Sequence, residues 1–269
     1  MARYKKKRAR ELQHDRFRDT AIGLFDRLGN LLEGRGRAIL YGIGAAILIG
    51  GLALFWINWS RRKSDEARRA MGRAITIATT PVTSLSLPNT TVPGFTSEQE
   101  RANKAIEEFE KVAAKYGDPY HTEARYFIAT NRLLVDRQKG MEELVELSNS
   151  SHKDVAALAK FALAQAKEAD AKYDEAAQLY SDLAAQNSLV VTPETARLRL
   201  ALVYQRQDKK KEAADILFQI VDTARKAKDN EGAPLAESAA ARKAATELQK
   251  LDPDRFSQLP PETPRTGLF

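Results

Sequence analysis

A stretch of 22 residues without one charged side chain, Ala38–Trp59, constrains this chain more than any other feature. As a helix it extends about 33 Å, enough to cross a hydrocarbon core of about 30 Å. Inside such a core the backbone must satisfy its own hydrogen bonds, so a helix is the conformation we expect. Tyr41 at one end and Trp56 and Trp59 at the other lie where aromatic belts lie. We therefore predict a transmembrane helix over 38–60. A cleaved signal peptide fits less well, because no small-x-small cleavage site follows.

The positive charge of the chain is concentrated before this segment. Of the net charge of +7, +6 falls in residues 1–37 and +1 in residues 61–269. The positive-inside rule then keeps the amino-terminal tail in the cytoplasm and lets the long domain lie on the other side. The near-neutral domain offers no basic face for nucleic acid. The basic cluster Lys5–Arg8 is better explained as a signal for membrane topology than as an RNA-binding site.

Two patterns accompany the membrane segment. Within it, small residues recur at every fourth position, at Ala38, Gly42, Ala46 and Gly50. Such a stripe lets a second membrane helix approach closely, although Gly and Ala are also common in membrane helices without a partner. Upstream, residues 17–32 place apolar side chains on one helical face, as in an amphipathic helix lying on the inner leaflet.

The remainder of the chain repeats with a period close to 36 residues. The repeat is marked by a residue followed four positions later by a bulky one, at Ala105, Met141, Ala176 and Ala213, which are spaced by 36, 35 and 37 residues. Thirteen residues before the last three marks stand pairs of a bulky and a small residue: Ile128–Ala129, Leu163–Ala164 and Leu200–Ala201. A small residue at a fixed place lets two helices pack closely, and one helix pair cannot bury its apolar face alone. The repeats therefore predict stacked helix pairs.

Residues typical of helix starts and of connecting segments agree with a division into helix pairs. Ser97–Glu100 and Ser151–Asp154 resemble capping boxes, and Thr192 precedes a Pro at the first helical position. Residues 80–97 are rich in Ser, Thr and Pro and are predicted as an insertion with nothing to bury. A capping helix is predicted from about Pro234 to Leu251, and the Pro-rich residues 253–269 as a disordered tail.

The repeat resembles the tetratricopeptide pattern. The residues that match it are Tyr173, Ala176, Tyr180, Leu200, Ala201, Tyr204 and Ala213. The layout as a whole is similar to the YfgM-like ancillary subunits of the bacterial SecYEG translocon, which have a cytoplasmic tail, one membrane helix and a periplasmic repeat domain. The resemblance implies a bacterial inner-membrane protein whose domain, 61–252, lies in the periplasm. The fold class we predict is all-α: a single transmembrane helix, then a tetratricopeptide-like α-solenoid of about four helix pairs and a capping helix.

The sequence offers no pattern for catalysis. Cys is absent, which excludes a thiol nucleophile and a Cys-bound metal, and the three His residues are scattered. Neither a phosphate-binding glycine loop nor a nucleophile elbow occurs. We expect no enzyme activity and no cofactor.

A stack of helix pairs instead presents a groove lined by the first helix of each pair. The repeat register predicts that its lining is Tyr126, Thr130, Leu133, Phe161, Gln165, Leu198, Leu202, Gln205 and Arg206. We call these nine residues the groove row. They suit contacts with a protein, although Phe161, Leu198 and Leu202 have packing against adjoining helices as an alternative role. The resemblance implies the SecYEG translocon, periplasmic chaperones or emerging polypeptides as partners. The alternatives are a scaffold for division or outer-membrane biogenesis, a membrane-bound enzyme or enzyme activator, and a cytosol-facing receptor.

Overall fold

The computed structural model of this protein describes residues 63–82 and 94–262. The predictions for the basic tail, the membrane helix 38–60 and its small-residue stripe, most of the insertion, and residues 263–269 lie outside the described residues. The chain divides into two compact units, Met1–Asp65 and Glu66–Phe269, and the fold below is that of the second unit. Among residues 63–82 and 94–262, every helix is too short or too polar to span a bilayer.

The described residues are helical and contain no β-strand, which confirms the all-α prediction. The first helix, α1, includes residues 63–79. The helices after it are α2 (Glu98–Lys115), α3 (Tyr120–Arg132), α4 (Arg137–Ser148), α5 (Lys153–Ala169), α6 (Tyr173–Ala184), α7 (Pro193–Arg206), α8 (Lys210–Lys226), α9 (Ala239–Leu251) and the short α10 (Pro253–Phe256). Each helix from α2 to α9 packs mainly on the next one along the chain, an arrangement consistent with an α-solenoid.

Several helix starts are fixed by local side chains. The Ser97 hydroxyl accepts a hydrogen bond from the backbone N–H of Glu100 at 3.1 Å, and the Thr192 hydroxyl accepts one from that of Thr195 at 3.2 Å. These two predicted caps are confirmed, and each satisfies a backbone donor that the first helical turn leaves unpaired. The capping box predicted at Ser151 does not form. The N-cap residue of α5 is His152, one position later, and its side chain makes no capping hydrogen bond.

The buried side chains of the described helices form four clusters, each built from three consecutive helices. The clusters join α1 to α3, α3 to α5, α5 to α7, and α7 to α9. The buried cluster residues of each of α2, α4, α6 and α8 belong to one cluster, while α3, α5 and α7 each contribute one face to the cluster before and another face to the cluster after. In the first cluster the rings of Phe109 and Phe127 stack at 4.9 Å. Burying one such large apolar side chain stabilises the fold by about 1.5–3 kcal/mol.

The repeat mark in α4 is Gly140 and not the predicted Met141. Gly140 is the fourth residue of α4, as Ala176 is of α6 and Ala213 of α8, and all three are buried. A Cβ at Gly140 would lie 2.7 Å from the backbone nitrogen of Leu133. The bulky residue of this repeat is correspondingly Leu144, which is fully buried, whereas the predicted Val145 is 47% exposed.

The difference has a cause in the connecting segments. Each helix pair has one small residue in its first helix and one in its second. These two residues are 11 positions apart at Ala129 and Gly140 and 12 positions apart at Ala164 and Ala176. The longer connections pass through a residue with positive φ, Ala171 at 56° and Asp208 at 58°. The shorter connection brings α4 so close to the end of α3 that only glycine fits.

The carboxyl-terminal residues that the structure describes are packed on the domain. The capping helix begins at Ala239, five residues later than predicted. Of the predicted tail, Phe256 and Leu259 pack on the last cluster. Arg225 donates a hydrogen bond to the carbonyl of Pro260 at 2.6 Å and forms an ion pair with Glu237 at 3.0 Å. The side chains of Arg225 and Glu237 are 8% and 5% exposed, so the carboxyl-terminal segment is held by a hydrogen bond from a guanidinium group that a buried ion pair fixes in place.

Candidate protein-binding surface

The first three members of the groove row lie on α3 or directly after it, and they are half-buried. Tyr126 and Leu133 pack against the second cluster, and burial raises the pKa of Tyr126. The Thr130 hydroxyl donates to the carbonyl of Phe127 in its own helix at 3.0 Å. The hydroxyl of Thr130 is therefore already bonded within α3, and the side chains of Tyr126 and Leu133 are partly covered by the core.

On α5 the two members of the row differ. Phe161 packs against the third cluster, where its ring meets that of Tyr180 edge to face at 5.8 Å. Gln165, one turn later, is half-buried and lines an open cavity.

On α7 the row is divided between core and surface. Leu198 is 8% exposed and belongs to the last cluster, where it packs with residues of α9. It is thus a core residue and does not line a surface in this structure. Leu202 is half-buried against the same cluster, Gln205 is half-buried, and Arg206 is exposed.

The structure brings Gln165 and Arg206 together at one cavity of about 360 Å³ between α5 and α7. Its lining residues are Gln165, Glu168, Ala169, Tyr173, Arg199 and Arg206. We call it the arginine cavity. The repeat register places Gln165 and Arg206 in one row, but it does not identify Glu168, Tyr173 or Arg199. A signal for Arg199 is present in the sequence, because it stands seven residues before Arg206 and so occupies the same face of a helix.

The charges in the arginine cavity are unequally paired. The carboxylate of Glu168 accepts a hydrogen bond from the Tyr180 hydroxyl at 3.1 Å. Burial raises the pKa of Tyr180, the charge and hydrogen bond of Glu168 raise it further, and Arg199 opposes the increase. Neither Arg199 nor Arg206 forms a hydrogen bond or ion pair with a described residue. The cavity therefore holds one carboxylate that already accepts a hydrogen bond, that of Glu168, and two guanidinium groups, those of Arg199 and Arg206, whose N–H donors are available.

A second cavity, of about 620 Å³, lies outside the groove row. Its lining residues are Ser148, Ser150, Lys153, Asp154, Ala156, Lys160, Gln186, Asn187, Ser188 and Leu189. Ser150 and Ser188 accept hydrogen bonds from nearby backbone N–H groups, so their oxygens serve the connecting segments. Leu189, at its rim, is 93% exposed.

The described His residues have local partners. His121 Nδ1 lies 2.9 Å from the carbonyl oxygen of Ala113, and His152 Nε2 lies 3.2 Å from the carboxylate of Asp118. Within residues 63–82 and 94–262, no group of three or more His, Cys, Asp or Glu side chains is arranged to hold a metal ion.

No family model matches the sequence, and no curated protein or solved structure matches it either.

Proposed function

We propose that this protein is a membrane-tethered, tetratricopeptide-like scaffold that binds other proteins on the periplasmic side of a bacterial inner membrane. In this proposal the apolar segment Ala38–Trp59 supplies the location and the helical domain supplies the contacts. Confinement beside a membrane raises the effective concentration of domain and partner, so each contact needs only modest affinity. The partner class we favour is the translocation machinery, its chaperones and emerging polypeptides.

The observation that carries the proposal is the arginine cavity. Gln165 and Arg206 come from successive first helices, which the repeat period alone assigns to one lining. Around them, Phe161 and Leu202 are half-buried apolar side chains that a partner would cover further. A surface that combines apolar side chains with arginine is typical of protein interfaces.

Site-specific crosslinking tests this function. A photoreactive amino acid replaces Gln165 in the full-length protein, and crosslinked partners are identified by mass spectrometry after extraction in mild detergent. The control is the same replacement at Gln249, an exposed glutamine of α9 that lines neither cavity. We expect translocon subunits or periplasmic chaperones from position 165 and not from 249.

Other outcomes separate the alternatives. Crosslinks to division or outer-membrane assembly proteins keep the scaffold and change its assembly. Crosslinks to cytoplasmic proteins, or a reporter fused after Phe269 that is active only in the cytoplasm, contradict the topology. Identical crosslinks from both positions contradict the assignment of the groove row as the binding surface.

A further inference from the structure

We propose that the arginine cavity binds one carboxylate side chain, Asp or Glu, of an extended segment of the partner protein. This inference rests on the proposed function, because it names the chemistry of the partner that the groove row receives.

The first argument is the balance of charge. Arg199 and Arg206 bring two positive charges to the lining, and Glu168 brings one negative charge. The Glu168 carboxylate is already hydrogen-bonded to Tyr180. One positive charge is left without a counter-charge, so a single carboxylate neutralises the cavity. A phosphate dianion would instead leave an excess of negative charge beside Glu168.

The second argument is the placement of donors. The two arginines are separated by two helical turns on α7, about 10.5 Å along its axis, and Gln165 faces them from α5. A carboxylate between the two helices would meet a guanidinium fork on one side and an amide on the other. The guanidinium group binds a carboxylate through two parallel hydrogen bonds, which a lysine cannot do.

The third argument concerns what carries the carboxylate. Every lining residue except Ala169 has a polar group, so the cavity does not suit an apolar small molecule. Its neighbours in the row, Phe161 and Leu202, are half-buried apolar side chains that suit the flanking residues of a polypeptide. An extended segment with an acidic residue between apolar ones would place its carboxylate in the arginine cavity and its apolar side chains on Phe161 and Leu202.

The test begins with selection of binding peptides. Random-sequence peptides displayed on phage are selected against the full-length protein in detergent micelles, and the enriched peptides are synthesised with a fluorophore. The dissociation constant is then measured by fluorescence anisotropy for each acidic peptide and for its amide variant, in which Glu or Asp is replaced by Gln or Asn. We expect enrichment of peptides with an acidic residue, and at least tenfold weaker binding after its replacement, as for other hydrogen bonds to charged groups.

Variants of the protein locate the contact. Arg199→Gln and Arg206→Gln are each expected to weaken the acidic peptide about tenfold and to leave the amide peptide unchanged, a coupling that two independent effects would not give. Arg199→Lys keeps the positive charge and loses the paired hydrogen bonds of the guanidinium group, so its affinity for the acidic peptide should lie between those of the wild-type protein and Arg199→Gln. The matched control is Arg197→Gln, an exposed arginine of α7 outside the cavity. Circular dichroism checks that each variant is folded.

The outcomes distinguish this inference from the proposed function. If acidic peptides bind equally well to the wild-type protein and to both glutamine variants, the inference is overturned and the scaffold function remains. If inorganic phosphate at millimolar concentration displaces the peptides as well as free glutamate does, the cavity is a general anion site and the inference is also overturned. If no peptide is enriched, both the inference and the proposed function are contradicted.

Discussion

Gly140→Ala should destabilise the protein although it replaces a helical glycine by the best helix former. The added Cβ would lie 2.7 Å from the nitrogen of Leu133, 3.0 Å from the carbonyl oxygen of Ala129 and 3.1 Å from the carbonyl carbon of Arg132. All three are backbone atoms, so no side chain can turn aside and α3 or α4 must shift. Such overpacking costs about 1–3 kcal/mol, while the helix gains about 1 kcal/mol from losing glycine. We expect a net loss of up to about 2 kcal/mol.

Gly72→Ala is the matched control. Gly72 is an exposed residue of α1, and a Cβ there meets nothing within 4 Å. Only the gain in helix propensity remains, so this variant should be more stable by about 0.5–1 kcal/mol. The assay is urea and thermal unfolding followed by circular dichroism at 222 nm. For a domain of this size, 1 kcal/mol corresponds to a change in Tm of about 2–4 °C.

The test is whether Gly140→Ala and Gly72→Ala change the stability of the protein in opposite directions. If Gly140→Ala raises the urea midpoint as Gly72→Ala does, then α3 and α4 do not approach each other as described and the account of the short connection is refuted. A rescue sharpens the test. Inserting one residue after Leu134 gives this connection the 12-residue length of the others, and it should recover part of the stability lost in Gly140→Ala.

Three further predictions concern other parts of the domain. Glu237→Ala should cost about 3–5 kcal/mol in urea unfolding, because it leaves the guanidinium of Arg225 buried without a counter-charge, whereas the double change Arg225→Met with Glu237→Leu should cost less, because it leaves no buried charge and loses the hydrogen bond to Pro260. Ala171→Gly should raise the free energy of unfolding in urea by up to about 1 kcal/mol, because φ at this residue is 56°; a decrease would contradict the positive φ. The hydrogen bonds from Thr122 and His152 lower the pKa of Asp118, so its stabilisation is present above the usual Asp pKa and is lost as the pH falls. Asp118→Asn should therefore reduce the urea midpoint at pH 7 and not at pH 2, and an equal loss at both would refute a charge effect.

The features predicted well from the sequence are those that neighbouring residues determine. Ser97 and Thr192 cap helices because the backbone donors they satisfy lie three residues away. The all-helical class follows from the same local periodicity repeated along the chain. Features that depend on distance in space were predicted less well.

Leu198 illustrates the limit. The repeat register assigns it to a surface, and α9, which is outside the repeat pattern, covers it with Ala241 and its neighbours. Phe256 likewise stands in a Pro-rich segment that looks like a tail, yet it packs over Arg225 with 5.7 Å between the ring centre and the guanidinium carbon. Neither contact is encoded by residues close in the chain. Arg199 was not predicted for a different reason, since its place in the arginine cavity depends on residues of another helix, among them Gln165.

The sharing of α3, α5 and α7 between successive clusters has a consequence for how the domain comes apart. Loss of an interior odd-numbered helix opens two cores at once, whereas loss of α9 opens one. An interior even-numbered helix is joined at both ends to odd-numbered helices, so opening should begin at an end of the stack and advance one core at a time. A partner that bridges α5 and α7 would hold closed the middle of the stack, where opening is already the most costly.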